Sequence, residues 1–423
     1  MTSDVAAVDL DLARFIRPGD AVVVGQACAE PLTLTEALAA QRAAIGGCRV
    51  FLGPAFAGTF RPEHSDHLVF TAYAASGANQ ALSRAGKLDI LPCHYSALPR
   101  LFASGKRPAD VVLLQVGPAA TGGFNLGLAN DHVVDAARRA RVVIAELNDQ
   151  VPDTPGSTLP ADIRIDVLVR TSRPPAMLQP TPLGTIERRI AEHVAALVPD
   201  GATIELGIGA LPDAVLAALS QHRDLGIHSG MIGEGALDLI ERGVITNARK
   251  PFDRGVSIAG LLFGTRRLFD FAHRSTTLRL MPPHYTHGYD TLRQLPDFIA
   301  INSAIEVDLG GQVNGEMAGG VHVGAIGGQV DFMRGAVAAP RGRSIIAMPA
   351  TAKGGTVSRI VARLGDAVVT SLRSDMDAVV TEHGVAELDG CSLAERARRL
   401  IAIAAPPFRE GLERAAQALN LQG

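Results

Sequence analysis

PDGATIELGIGALPDAVLAAL, residues Pro199–Leu219, is the stretch that decides the fold. A Pro-Asp-Gly turn leads into the short apolar segment Thr203–Leu206, two glycines follow, and Pro212 precedes a segment rich in alanine and leucine. Glycine favours tight turns, and proline is tolerated in the first turn of a helix but not in its interior. This order of residues predicts a turn, a strand, a glycine loop and a helix.

The same order occurs earlier in the chain, in PGDAVVVGQACAEPLTLTEAL, residues Pro18–Leu38. Two further correspondences link the halves. Val111–Leu114 and the later Gly122–Asn125 in the first half correspond to Ile299–Asn302 and the later Gly310–Asn314 in the second. Val142–Glu146 corresponds to Ser344–Met348. The weak repeat therefore predicts two halves with the same succession of elements.

Short β-branched runs without alternation, separated by helical stretches such as Val133–Arg141 and Ile186–Leu197, are typical of parallel sheets covered on both faces. We predict an α/β fold of two duplicated halves, each with a mostly parallel sheet flanked by helices. The segment Ser172–Pro182 is rich in proline, which cannot continue a helix or an interior strand, so we predict that it is the linker. The first half then comprises residues 1–183 and the second half residues 184–423. Ligands of such folds bind where strand carboxyl ends and glycine loops converge, so we expect the active site in the cleft between the halves.

The composition fits an enzyme rather than a nucleic-acid binder. The chain has 423 residues, 47% of them hydrophobic, which is ample for large cores, and its formal net charge is only −3. The four cysteines lack CxxC spacing, and His64 and His67 with Asp66 form too small a group for a metal site, so no metal is expected. The N-terminus has no signal pattern and no apolar run approaches the ~20 residues that a bilayer requires. We therefore expect a cytoplasmic protein without nucleic-acid or membrane partners.

The glycine loop at Gly207, Ile208 and Gly209 is the first candidate binding site. Glycines let the backbone approach a ligand, and the free amides at a helix start favour negative charge, so the loop suits a phosphate, a carboxylate or a thioester oxyanion. Taken alone, a GxG pattern is also compatible with a tight strand-to-helix turn that binds nothing.

Longer strings make the pattern more specific, because five of them resemble the acetyl-CoA hydrolase/transferase family, which contains 4-hydroxybutyrate and succinate:acetate CoA-transferases. They are Gly207–Leu219, Asp224–Gly235, Gly327–Phe332, Ile345–Gly355 and Val379–Leu388, and the resemblance extends from about Phe15 to Glu413. It implies coenzyme A as a substrate and product, and a homodimer or larger homo-oligomer. It further implies that the thioester lies against Gly207, Ile208, Gly209, Gly327, Gly328 and Gln329, and that Lys353 meets the CoA phosphates, although an ordinary solvated lysine is an equal interpretation.

One position departs from the family. The active-site loop is similar to Gly-Ile-His-Ser followed by a glutamate that carries CoA as a thioester, and here Gly230 stands at the glutamate position. Such covalent catalysis needs an accessible carboxylate beside an oxyanion site, which glycine cannot supply. The question is which other acid replaces it.

Three glutamates are candidates. Glu63 best matches the N-terminal-half glutamate proposed as catalytic in a similar branch, the itaconate or butyryl-CoA transferases, and it also reads as a solvated turn residue. Glu234, a second catalytic candidate, lies where relatives commonly have Asp and suits an orienting or helix-capping role better than a nucleophilic one. Glu30 has a counterpart in relatives that retain the loop glutamate, so it is expected to contact substrate.

Substrate identity is only broadly constrained. Arg61 and His228 are expected to bind a substrate carboxylate near Gly230, with His94 and Tyr95 as further possibilities, and each also reads as a surface or core residue. We predict a CoA-transferase that moves CoA between an acyl-CoA, such as succinyl-CoA, and an acid of the itaconate, butyrate or hydroxybutyrate class through a glutamyl-CoA thioester. The alternatives are an acyl-CoA hydrolase that uses water in the space at Gly230, and a catalytically silent acyl-CoA binder.

Overall fold

The computed structural model describes residues 2–421, which form two compact units. Unit 1 comprises residues up to 179 together with 258–286 and 321–327, and unit 2 comprises residues 180–257, 287–320 and 328 onward. The sequence predicts a single boundary near residue 183, whereas the structure also assigns residues 258–286 and 321–327 to unit 1. These two segments follow the boundary in the chain but pack with the first unit. No element is found at 172–184, where the proline-rich linker is predicted.

Among the described residues, unit 1 contains a nine-stranded sheet. In sheet order its main strands are Ser3–Val5, Val167–Thr171, Val142–Asn148, Val111–Pro118, Ala21–Val24, Cys48–Leu52, Leu68–Ala72 and Leu88–Ile90. All these neighbours are parallel, and Phe124–Asn125 pairs antiparallel with the end of Val111–Pro118. The chain builds outward from Ala21–Val24 in one direction and then from Val111–Pro118 in the other, so a topological switch point lies between these two strands.

Helices cover this sheet and bury its apolar strands. The helices of unit 1 are Leu32–Ile45, Asn79–Arg84, Leu98–Ala103, Val133–Arg139, Arg266–Ala272 and Pro283–Thr286, and its further short strands are Leu261–Phe263, Leu278–Leu280 and Val321–His322. The core joins strand residues such as Val22, Val50 and Leu113 to Leu34 and Leu38 of the first helix. Strands buried on both faces explain the continuous β-branched runs in the sequence.

Unit 2 repeats the arrangement around Thr203–Leu206. Its six-stranded sheet has the order Gly226–Ile227, Thr203–Leu206, Phe298–Asn302, Arg343–Ala347, Ala378–Thr381 and Gly384–Glu387. The helices are Thr185–Ala195, Ala210–Ala218, Glu234–Glu241, Tyr289–Leu292, Gln329–Ala338, Leu393–Ala402 and Pro406–Ala418, and shorter strands include Met231–Gly233, Glu306–Asp308, Val313–Asn314, Thr351–Ala352, Val357–Ser358 and Ile360–Val361. All sheet neighbours are parallel except the last pair.

The predicted α/β class with parallel sheets flanked by helices is confirmed. In both units the strand that follows the Pro-Gly or Pro-Asp-Gly turn lies at the switch point of its sheet, which is the arrangement that the sequence repeat indicates. Within residues 2–421, no helix combines the length and the apolar character needed to cross a bilayer.

Candidate active site

The glycine loop of unit 2 follows the carboxyl end of Thr203–Leu206, as its sequence predicts. Gly209 has a φ of +111°, a conformation that only glycine adopts without strain, and it is the N-cap of the helix Ala210–Ala218. A glycine at the N-cap has no side chain with which to cap the first helix amides. A Cβ added to Gly207 would meet only Pro212 at 4.0 Å, so the backbone there is open to a ligand. The loop can therefore present amide donors to an anion or to a developing oxyanion.

The loop His228–Gly230 begins where the neighbouring strand Gly226–Ile227 ends. The amide of His228 donates to the carbonyl of Ile204 at 3.2 Å, and the Ser229 hydroxyl donates to the carbonyl of Leu206 at 3.2 Å. Both side chains are buried. These contacts bring the second glycine-containing loop beside the Gly207–Gly209 loop at the carboxyl edge of one sheet.

Lys250 fixes the outer side of that edge strand. Its side chain is 1% exposed, and its Nζ donates to the carbonyls of Ile227 at 3.1 Å and Val256 at 2.9 Å, while Asn247 Oδ1 accepts from the Ile227 amide at 2.9 Å. Burial lowers the pKa of Lys250 from 10.5 to about 8, with Asp253 opposing the shift. Lys250 and Asn247 thus satisfy the polar groups that a further strand would otherwise pair. Sequence reasoning missed this role, since a lone lysine gives no local signal of burial.

His287 occupies the space next to Gly230. A Cβ built on Gly230 would lie 2.9 Å from Nε2 and 3.0 Å from Cε1 of His287, and a Cβ on Gly328 would lie 2.6 Å from Nε2. The ring also packs on Phe332 with centroids 4.4 Å apart. Burial, and to a smaller extent His228, lowers the pKa of His287 from 6.5 to about 3, so the imidazole is neutral at pH 7. The sequence did not single out His287, because this contact joins distant parts of the chain.

Glu205 is a second residue that the sequence analysis missed. It precedes Leu206 on the switch-point strand, is 4% exposed, and its Oε2 accepts from Asn302 Nδ2 at 2.8 Å on the adjacent strand. Burial raises the pKa of Glu205 to about 8, although the hydrogen bonds from Asn302 and the Ile301 backbone oppose this. A neutral carboxyl group therefore lies beneath the glycine loop at pH 7.

Glu30 lies near the corresponding carboxyl edge of unit 1, where it is 3% exposed. Its Oε1 accepts from the hydroxyls of Thr35 at 3.0 Å and Thr59 at 2.8 Å, whereas its Oε2 has no hydrogen-bond partner among residues 2–421. Burial raises the pKa of Glu30 against the effect of these two hydroxyls. The helix start next to it is already occupied, since Glu146 accepts from the Thr33 amide at 2.8 Å.

Glu63 has a different environment. Its side chain is 59% exposed and pairs at 2.9 Å with Arg61, which is itself 63% exposed. The same turn is held through Asp66, which Arg42 in the last turn of the helix Leu32–Ile45 binds at 2.7 Å. Glu63 is therefore solvated in this conformation. Its turn is bound to the C-terminal end of the helix Leu32–Ile45, whereas Glu30 lies before the N-terminal end of that helix. The predicted pairing of Arg61 with substrate would compete with this ion pair.

The remaining predicted residues are distributed over both units. Gly327 belongs to unit 1, where its carbonyl accepts from the Tyr95 amide at 2.8 Å, next to the bridge between Gly327 and His94. Gly328 and Gln329 begin the helix Gln329–Ala338 of unit 2, and Gln329 Nε2 donates to Ser371 Oγ at 2.8 Å.

Lys353 lies in an exposed turn, and Glu234 lies at a helix start. Lys353 lies exposed in the glycine turn Lys353–Gly355, where its φ is +49°. Glu234 is the first residue of the helix Glu234–Glu241, where a carboxylate interacts favourably with the helix dipole. No group of three or more His, Cys, Asp or Glu residues suitable for a metal ion occurs in the described chain.

Comparisons with known proteins identify the family. Residues 7–169 match the acetyl-CoA hydrolase/transferase N-terminal domain, and residues 264–416 match the C-terminal domain of the same family. The chain is 40% identical over 395 residues to the 4-hydroxybutyrate coenzyme A transferase of Clostridium kluyveri, with 92% of each chain covered.

Two solved structures show the same fold over nearly the whole length. RipA from Yersinia pestis is 34% identical with a TM-score of 0.92, and the 4-hydroxybutyrate CoA-transferase of Porphyromonas gingivalis is 33% identical with a TM-score of 0.82. In both cases 99% of this chain and 98% of the other are covered. Together with the two domain matches, these similarities show that the chain belongs to the acetyl-CoA hydrolase/transferase family.

Proposed function

We propose that this protein is a CoA-transferase that moves CoA between an acyl-CoA and a small aliphatic carboxylic acid. The observation that carries the proposal is the open Gly207–Gly209 loop, whose helix-start amides have no side chain at the N-cap. The equivalent helix start in unit 1 is closed by Glu146. Backbone donors of this kind stabilise the oxyanion that forms when a thioester carbonyl is attacked, and one such donor is typically worth about 3–4 kcal/mol.

Relatives named as CoA-transferases support the reaction type. They include proteins named for 4-hydroxybutyrate, for succinyl-CoA with cyclohexane-1-carboxylate, and for butyryl-CoA with acetate. We propose succinyl-CoA or a short acyl-CoA as the donor and an acid of the itaconate, butyrate or hydroxybutyrate class as the acceptor. We also propose a homo-oligomer, which light scattering after size-exclusion chromatography would test.

The transferring carboxylate is proposed to come from Glu63 or Glu30. Glu63 is accessible but largely exposed to water and paired with Arg61 where it stands, so its use as a nucleophile requires that substrate binding excludes water from it. Glu30 is already desolvated and has one carboxyl oxygen without a partner among residues 2–421, but its raised pKa lowers the fraction that is ionised. These opposite properties make the two residues separable by experiment.

The test is to incubate the protein with succinyl-CoA and a panel of acids and to search its peptides for covalently bound CoA. Glu63→Gln and Glu30→Gln are compared with Glu192→Gln, an exposed glutamate on the helix Thr185–Ala195. We expect loss of the adduct and a decrease of at least 100-fold in transfer for the variant that lacks the nucleophile. Release of free CoA without any acceptor acid would indicate the hydrolase alternative instead.

A further inference from the structure

The glycine at position 230 is not required by its backbone. Gly230 does not have a positive φ, so a left-handed backbone is not the reason for a glycine at this position. The same is true of Gly328, whose φ is −90°. The space around the two positions, rather than a left-handed backbone, limits a side chain there.

The ring of His287 occupies this space at both positions. Its Nε2 edge lies within 2.9 Å of a Cβ built on Gly230 and within 2.6 Å of one built on Gly328, both closer than real Cβ contacts. The ring is 4% exposed and packs on Phe332, which is 2% exposed and lies 3.4 Å from the same Gly230 Cβ. A ring enclosed in this way cannot give space to a side chain without repacking its neighbours.

We propose that His287 determines which carboxylate serves the reaction, because its imidazole closes position 230 to any side chain and so keeps an acid out of the His228–Gly230 loop. The inference rests on the proposed CoA transfer. Removal of the ring opens a volume beside Gly230 in which an introduced carboxylate can be accommodated.

A glutamate at position 230 could take up CoA from an acyl-CoA in two steps that need no further reactant. A carboxylate oxygen attacks the acyl-CoA carbonyl carbon, the carbon–sulfur bond breaks, and CoA leaves as a thiolate, which gives a mixed anhydride. The thiolate then attacks the enzyme carbonyl, and the acyl group leaves as a free carboxylate. No electrons are exchanged, and the product is a thioester on the introduced side chain.

The experiment is a double-mutant cycle of Gly230→Glu and His287→Ala, with a second cycle in which Gly230→Ala replaces the larger change. Thermal unfolding and CoA adducts on the peptide that contains position 230 are measured for each variant. We expect each Gly230 variant alone to lose roughly 4–10 °C in Tm. We expect the double variants to lose clearly less than the sum of the two single changes, and only the Gly230→Glu/His287→Ala protein to carry CoA at position 230.

Two controls are matched to these changes. Gly411→Glu introduces the same side chain at an exposed helix position with open space around its Cβ, and it should leave Tm nearly unchanged. His132→Ala removes an equally buried histidine of unit 1, which is stacked on Phe102, and its effect should add to that of Gly230→Ala.

The cycle separates this inference from the proposed function. Additive Tm losses, or a Gly230→Glu protein with wild-type Tm, would overturn the role of His287 whatever the activity. Suppose that the wild-type protein transfers CoA and that the folded Gly230→Glu/His287→Ala protein shows the non-additive Tm. The absence of a CoA adduct at position 230 in that protein would then also overturn the role of His287. A wild-type protein that transfers CoA to no acid would instead refute the proposed function, while the Tm coupling would still decide whether His287 closes position 230.

Discussion

Replacement of Glu205 by glutamine is expected to change the pH dependence of stability. The folded-state pKa of Glu205 is about 8 because of burial, whereas an unfolded glutamate has its ordinary value of 4.5. Below pH 4.5 both states are protonated. Between pH 4.5 and 8 the unfolded state releases a proton that the folded state retains, so stability decreases as the pH rises through this window.

The magnitude follows from the size of the shift. At about 1.4 kcal/mol per pKa unit, the change from 4.5 to about 8 corresponds to about 5 kcal/mol over the whole window, of which about 3 kcal/mol develops between pH 5 and pH 7. Glutamine has nearly the same volume, and its carbonyl oxygen still accepts from Asn302. The free energy of unfolding of Glu205→Gln should therefore exceed that of the wild type by an amount that grows by about 3 kcal/mol from pH 5 to pH 7.

Urea denaturation at pH 5, 6, 7 and 8 measures this difference. Glu192→Gln serves as the control, because the exposed Glu192 side chain should give a difference that is close to zero and nearly independent of pH. A Glu205→Gln difference that stays constant from pH 5 to pH 8 would refute the assignment of a protonated buried carboxyl group.

Three further changes test the local structure. Lys250→Met removes the donor to two buried carbonyls and should lower the free energy of unfolding by about 2–4 kcal/mol in urea, whereas Lys87→Met at an exposed position should change it by less than about 0.5 kcal/mol. Gly209→Ala should lower the free energy of unfolding by about 1–3 kcal/mol and reduce kcat/KM for the acyl-CoA, because the φ of +111° at this position strains an L-residue. Gly411→Ala, in an exposed helix, should leave the free energy of unfolding unchanged or raise it. Ser392→Ala breaks the capping box of the helix Leu393–Ala402 and should lower the free energy of unfolding by about 1 kcal/mol. An unchanged Tm in thermal unfolding would contradict a stabilising role of this cap.

Much of the fold was predictable because it depends on local pattern. Thr203–Leu206 is a strand at the residues where its apolar run lies, and the helix after it starts at Ala210, directly after Gly209 and two residues before Pro212. The repeat between Pro18–Leu38 and Pro199–Leu219 predicted that both strands would hold equivalent places, and both lie at switch points of parallel sheets. Sequence period and turn residues act over a few positions, so they are visible without coordinates.

The candidate site was only partly predictable. The glycine loop and the His228–Gly230 loop were found from their residues, and the structure places them side by side. Glu63 was predicted as the leading catalytic acid, and its exposure and its ion pair with Arg61 were not visible in the sequence. Its catalytic role stays a prediction.

The sequence by itself determined the α/β class, the order of strands and helices, the glycine loops and the family, because each depends on residue type and spacing along the chain. Only the tertiary structure decided which side chains share a buried volume: His287 against Gly230, Asn302 against Glu205, and Lys250 against the carbonyl of Ile227. Steric exclusion and loss of hydration depend on distance through space, and these contacts join residues that no local pattern connects.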